Sequence, residues 1–201
     1  MFLIRHGQTE FNRVFSATRR DPGIRDPPLT EIGRLQATAI ARSLRLLSPG
    51  SLITSPYLRA LETAEIVAEQ LGVPITIEPL VAERFCFTCD VGSPLAELRA
   101  RWPDLDFDHL PDPWWPQLEE TEEQISRRSQ SFHCRIQSEV WSESAVVHTL
   151  GIYPGFDRAQ SAEWRSVADR SEPPRPRTGS GSLSRSGQTG QQKLMHLPVP
   201  C

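Results

Sequence analysis

Short apolar runs alternate with longer stretches of helical periodicity over residues 1–77, and that rhythm constrains the fold most. The runs are Phe2-Leu3-Ile4, Ser51-Leu52-Ile53-Thr54-Ser55 and Val73-Pro74-Ile75-Thr76-Ile77. Between the first two lies Pro28-Leu29-Thr30-Glu31-Ile32-Gly33-Arg34-Leu35-Gln36-Ala37, which opens a helix. Thr30 suits the N-cap and Glu31 the positive end of the helix dipole. Ile32, Leu35, Ala39, Ile40, Leu44 and Leu47 recur at helical spacing and predict one core-facing stripe, ended by Pro49-Gly50. A second helix starts at Pro56, packs through Leu58, Leu61, Ala64, Ala68 and Leu71, and is capped by Gly72. Pro74 marks the strand after it as an edge strand. Strand, helix, strand, helix, strand in this order predicts an α/β fold with a parallel sheet and right-handed crossovers.

The first run delivers Arg5 and His6 to the end of a buried strand, and Gly7 breaks the strand into a loop. Ligands bind at that edge of an open parallel sheet. Arg59 stands in the same place beyond the second strand, and Glu83 follows one connection after the third. Residues Arg13 to Pro28 read as a polar, arginine-rich loop. From Val81 to about Leu118 the periodicity fails, so residues 84–118 are predicted to be an insertion or lid. Its Trp114-Trp115 pair either closes over a ligand or plugs the core. Thr121-Glu122-Glu123-Gln124 is a capping box, opening a helix with Ile125, Phe132, Ile136 and Val140 inward and His133 to one side. Ala145-Val146-Val147 is the expected fourth strand, ending at His148.

Beyond about Gly151 the chain turns rich in Ser, Pro, Arg and Gly with no apolar period. A domain over residues 1–150 and a disordered or non-native tail over 151–201 are the expectation.

Composition removes several function classes. The net charge is −3 and the pI about 6.0, so no basic surface points to nucleic acid or an acidic membrane. No apolar stretch is long enough for a signal peptide or a membrane span, and Cys86, Cys89, Cys134 and Cys201 form no secreted disulfide framework. A cytoplasmic location with free thiols is expected. Cys86-Phe87-Thr88-Cys89 has redox or zinc spacing but no second pair, and His109 and His133 read as solvated.

The chemistry of Arg5, His6, Arg59 and Glu83 is that of phosphoryl transfer without a metal. Two guanidinium groups fork the oxygens of a phosphoryl group. A neutral imidazole nitrogen attacks phosphorus while a hydrogen bond holds the other ring nitrogen. A carboxylic acid protonates the leaving oxygen and later deprotonates water. No Asp/His cluster has metal-ligand spacing, so neither a metal nor another cofactor is expected.

Three motifs in order resemble the histidine phosphatase superfamily, with its phosphoglycerate mutase-like fold. They are Arg5-His6-Gly7-Gln8-Thr9-Glu10-Phe11-Asn12, Pro28 through Ala37, and Ser55-Pro56-Tyr57-Leu58-Arg59-Ala60-Leu61-Glu62-Thr63-Ala64, and the resemblance runs to about residue 147. It implies a three-layer sandwich around a parallel sheet, with His6 as the phosphorylated nucleophile and Glu83 as the acid/base. Arg5, Arg59, Asn12 and Gly7 would bind phosphate, and a small-molecule phosphate ester would be the substrate. A mutase is the lesser expectation, because the chain is short and Lys193 is its one lysine. An inactive relic that kept the phosphate pocket is the other alternative.

The resemblance also implies a second catalytic histidine after the fourth strand, with a small polar residue before it and a glycine two residues after. Val147-His148-Thr149-Leu150-Gly151 offers His148, but the glycine is three residues away and the last helix and strand of the pattern are missing. Shifting the codons of His148 to Arg158 forward by one nucleotide permits Thr, His, Trp or Leu, Gly, Phe, Ile, Arg, Ala, Leu, Thr, Gly. The expected run of polar residue, histidine and spaced glycine reappears. Residues from about His148 onward are therefore expected to be translated out of the ancestral frame.

Overall fold

The computed structural model describes residues 2–138 and 144–148, and side chains of the last helix only through Arg135. Among the described residues four parallel strands form the sheet: β1 (Phe2–Arg5), β2 (Ser51–Thr54), β3 (Ile75–Ile77) and β4 (Ser144–His148). The order is β1-β4-β2-β3, so the last described strand inserts between the first two. Five helices accompany them: α1 (Glu10–Thr18), α2 (Glu31–Leu44), α3 (Leu58–Leu71), α4 (Leu95–Arg101) and α5 (Glu122–Ser138).

The period-2 alternation of strand side chains makes three layers. Ile4, Leu52, Ala145 and Val147 face α2 and α3 and pack with Ile40, Ala41, Leu44, Ala60, Ala64 and Val67. Leu3, Ile53 and Val146 face the other way, onto Phe132 of α5 and the turn Pro79–Val81. The expected α/β sandwich, the edge position of β3 and the end of β4 at His148 all hold. Gly72 caps α3 at φ 69°, a left-handed conformation that glycine adopts without strain. The Thr121–Gln124 box caps α5 as predicted, with Ile125 and Phe132 buried. Ile136 and Val140 fall outside the described side chains, as the tail over 151–201 falls outside the described residues.

Two expectations are corrected. The polar loop predicted from Arg13 contains the helix α1, which starts upstream at a capping box between Thr9 and Asn12. Phe11, Val14 and Phe15 give it an apolar face; Phe11 is buried and stacks on Phe15. In α2 the predicted stripe is rotated. Ile32, Leu35 and Leu47 are exposed, and Gly33, Ala37, Ile40, Ala41 and Leu44 are the buried set. Small residues let α2 lie close against α3, and close packing of backbones outweighs burial of two larger side chains.

The irregular insertion builds its own small core on α3 from Tyr57, Leu61, Leu95, Leu98, Trp102, Phe107 and Trp114. Trp114 is buried edge-on against Tyr57 and donates to the Ser93 carbonyl, so it plugs the core rather than closing over a ligand. Among the described residues no helix is long and apolar enough to cross a membrane.

Candidate active site

Parallel strands deliver their C-terminal ends to one edge, and the three motifs meet there. Arg5 ends β1 and pairs in register with His148 at the end of β4, and the His6 amide continues the ladder to the His148 carbonyl at 3.4 Å. Gly7 turns the chain immediately after. Its amide donates to Thr63 Oγ1 on α3 at 3.1 Å, and Thr63 Oγ1 donates to the Arg59 carbonyl at 2.7 Å. The His6 loop and the first turn of α3 are thereby tied together.

A Cβ on Gly7 would stand 2.3 Å from the Gly33 carbonyl oxygen, and one on Gly33 would stand 2.2 Å from that of Gln8. The loop after β1 and the start of α2 touch backbone to backbone, so both positions require glycine. Gly7 has its carbonyl 2.7 Å from His6 Nδ1 and its amide on Thr63. Both its backbone groups are thus engaged within the protein, and what it contributes to a pocket is the turn and the absence of a side chain.

His6 is partly buried. Burial, then the positive charge of Arg59, then Arg5 and His148 lower its pKa from 6.5 to about 3, against the raising effect of the Gly7 carbonyl. A carbonyl oxygen can only accept, so Nδ1 carries the proton and Nε2 keeps its lone pair. The ring is held neutral, with the Nε2 lone pair available.

Arg59 is buried at 3% exposure in the first turn of α3. Nη1 donates to the Cys89 carbonyl at 2.9 Å, Nη2 to Asp90 Oδ1 at 3.0 Å, and the guanidinium lies 4.2 Å over the Tyr57 ring. Its desolvation is overcome by the negative field of Asp90 and its neighbours, so its pKa is raised and the charge is permanent. Asn12 Oδ1 accepts from the Thr9 amide and hydroxyl at 3.1 and 2.9 Å, which leaves the Nδ2 amino group as its donating end. Glu83 is partly buried and its Oε1 accepts the Arg84 amide at 3.0 Å. The segment before it is gripped by Arg128, which donates to the Leu80 and Ala82 carbonyls while its other nitrogens bind Glu120. His148 is buried.

Residues that sequence reasoning missed are the acidic partners. Asp90 and Asp26 are buried, and Asp26 accepts from the Leu58 and Ser93 amides at 2.9 Å each. Burial outweighs the field of Arg59 and raises its pKa to about 6. Both lie in irregular segments without periodicity; the signal available was only that a buried arginine needs a counter-ion. Thr63 was findable, one turn after Arg59 on the same helix face. His109, read as solvated, is exposed but holds the Ile77 carbonyl at 3.1 Å through Nε2. Cys86 is exposed and Cys89 buried, and no described cluster of three His, Cys, Asp or Glu is placed to hold a metal.

The probable phosphoglycerate mutases GpmB of Photorhabdus laumondii and Cronobacter sakazakii are 41% and 39% identical over 83 residues. That match takes in 41% of this chain and 37% of each relative, so the chain spans little more than a third of their length. The solved structure of Bacillus stearothermophilus YhfR is similar at 28% identity, with a TM-score of 0.50 over 75% of this chain and 73% of that one. A mycobacterial glucosyl-3-phosphoglycerate phosphatase shares the fold at 24% identity, with a TM-score of 0.51 over 75% and 73% of the two chains. The sequence profile of the histidine phosphatase superfamily, branch 1, matches residues 1–152, and this chain belongs to that family.

Proposed function

We propose that the protein is a phosphomonoesterase that works through a phosphohistidine at His6 and needs no metal. The observation that carries this reading is the state of His6: neutral, with Nδ1–H held by the Gly7 carbonyl and Nε2 left to attack. Arg5 and Arg59 supply the positive charge a loose phosphoryl transition state requires, and the Asn12 amino group adds a donor. Gly7 opens the pocket floor. Glu83 protonates the leaving oxygen and then takes a proton from the attacking water, and His148 stands beside the phosphoryl group as a second histidine. The substrate is a small-molecule phosphate ester, and the expected location is the cytoplasm.

A phosphotransfer between two positions of one phosphoglycerate is the second reading, favoured by the names of the GpmB relatives. A scaffold that keeps the phosphate pocket without turnover is the third, favoured by the missing glycine spacing after His148. Incubation with an aryl phosphate separates turnover from the scaffold, and phosphate released to water rather than passed to a second position of a phosphoglycerate separates phosphatase from mutase. A phosphatase forms an acid-labile phosphohistidine that His6→Ala abolishes, and it releases phosphate with chelator present. Strict dependence on added Mg²⁺ or Zn²⁺ overturns the mechanism; no labelling at all favours the scaffold.

A further inference from the structure

Asp90 does more for Arg59 than lie near it. Both side chains are all but buried, at 3% and 4% exposure, and they pair at 3.0 Å. The other carboxylate oxygen, Oδ2, accepts the Cys86 and Phe87 amides at 3.0 Å each, so the carboxylate is held from both ends. Tyr57, whose ring lies under the guanidinium, donates its hydroxyl to the Asp90 carbonyl at 2.8 Å. The loop is fixed on its outer side as well: the Thr88 amide and hydroxyl both donate to Asp21 Oδ2 at 2.9 Å. Phe87 packs on Phe11 and Phe15 of α1, the helix that follows the His6 loop.

We propose that Asp90 is the positioning and charge-balancing partner of Arg59, fixing the plane of its guanidinium and weakening its hold on phosphate so that product leaves. This rests on the reading of Arg59 as a phosphate clamp. A guanidinium has five N–H donors, and among the described residues Arg59 commits one to Asp90 and one to the Cys89 carbonyl. The remaining donors are those open to phosphate, and a guanidinium's width would put its charge roughly 6–8 Å from the carboxylate. At an effective protein dielectric near 20, a negative charge at that distance weakens anion binding by roughly tenfold or more.

The test is calorimetric titration of inorganic phosphate into the full chain near pH 7, beside Asp90→Asn and Arg59→Ala, with thermal melts of each. In Asp90→Asn the amide oxygen keeps the two loop N–H groups while the amino group faces the Arg59 Nη2–H, donor against donor, so the loop anchor stays and the carboxylate charge goes together with its hydrogen bond to Arg59. Phosphate is expected to bind tenfold or more tightly to this variant. Affinity within twofold of the parent or weaker, with only the melting temperature lowered, means a structural role and overturns the inference. Should the variant fail to fold in phosphate-free buffer, millimolar phosphate should restore its cooperative melt where chloride of equal ionic strength does not. No restoration also overturns the inference. A parent chain that binds no phosphate, or an Arg59→Ala variant that binds it as the parent does, removes the clamp reading itself, whatever Asp90→Asn does.

Discussion

Nδ1 of His6 stands 2.7 Å from the carbonyl oxygen of Gly7, so the ring's one proton is held by its own neighbour in the chain. Nε2 is thereby left as the nitrogen that keeps its lone pair, and the backbone of one turn sets the orientation of the ring. Removed from water, and with the charges of Arg59 and Arg5 close by, the ring resists protonation.

The first prediction follows from the signs of two shifts. His6 has a folded pKa of about 3 against 6.5, so its contribution to stability is present above 6.5 and lost as pH falls toward 3. Asp26 runs the other way. Its folded pKa is about 6 against 3.8, so its contribution is full below 3.8 and lost as pH rises through 6. Near pH 5 each has a slope of roughly 1.4 kcal/mol per pH unit, of opposite sign, and the two nearly cancel. Asp26→Asn removes one of them. Its unfolding free energy should rise with pH between 4 and 6 by roughly 1.4 kcal/mol per unit more than the parent's. Denaturant melts across that window measure it, and parallel curves would show that Asp26 titrates normally.

A second prediction concerns the backbone contact between Gly7 and Gly33. Alanine at either position drives a Cβ into main-chain atoms at 2.2–2.3 Å, where no side chain can rotate away. Gly7→Ala is expected to cost about 3 kcal/mol or more, the upper end of overpacking, and to suppress His6 phosphorylation by moving the acceptor of its Nδ1–H. Gly33→Ala should act alike. A loss under about 0.5 kcal/mol in chemical denaturation, the level of an ordinary surface change, would show that the two segments separate readily.

Much of this was legible before any coordinates. Short apolar runs ending in Arg5-His6, Ser55 and His148 placed the site at one sheet edge, because parallel strands send their C-terminal ends to one side. The caps Thr30, Gly72 and Thr121–Gln124 carried the helix ends through local hydrogen bonds that depend on nothing distant. What stayed hidden depends on packing between segments. Ile32 and Leu35 outrank Gly33 and Ala37 in hydrophobicity, yet the smaller residues are buried because α3 approaches closely. The arginine-rich stretch hid α1 behind its polarity, although Thr9, Asn12, Phe11, Val14 and Phe15 carried both cap and stripe. Asp90 sits 31 residues from Arg59 in an irregular segment, a distance no local pattern spans.

The third prediction addresses the arginine itself. Arg59→Ala should lower turnover by several orders of magnitude, as loss of a clamp on a transferring phosphoryl group does. Arg59→Lys keeps the charge but not the fork, and it cannot hold the Cys89 carbonyl, Asp90 and a phosphoryl oxygen in one plane. Partial recovery is expected in steady-state assays. Wild-type activity in the lysine variant would mean that Arg59 only pins the loop that carries Asp90.

The last prediction is read from the gene. Family resemblance and helical patterning stop together near His148, and the family profile ends at residue 152 of a 201-residue chain. The solved relatives are covered over 73% of their lengths. Among the described residues β1 is an edge strand and leads directly into His6, a place where further sheet would add support. We infer that the nucleotide sequence, read one base forward from His148, encodes Thr-His-x-Gly followed by an apolar helix start. Ala162-Glu163-Trp164-Arg165 shifts to a permitted Pro-Asn-Gly-Ala, with the glycine forced by the tryptophan codon, a fitting turn before a final strand. Basic residues that are arginine except for Lys193 point to a GC-rich gene, and reading such a gene out of frame accounts for a tail of arginine, proline, serine and glycine. Losing a helix and a strand from the core removes burial comparable to the ~5–15 kcal/mol that holds a domain together. The chain as translated should therefore melt low and turn over weakly, and the frame-restored version should melt higher and hydrolyse aryl phosphates. Sequencing the coding DNA decides it: a stop codon in the shifted frame between His148 and Arg165, or any run other than Thr-His-x-Gly, overturns the inference, and His148 is then taken at face value.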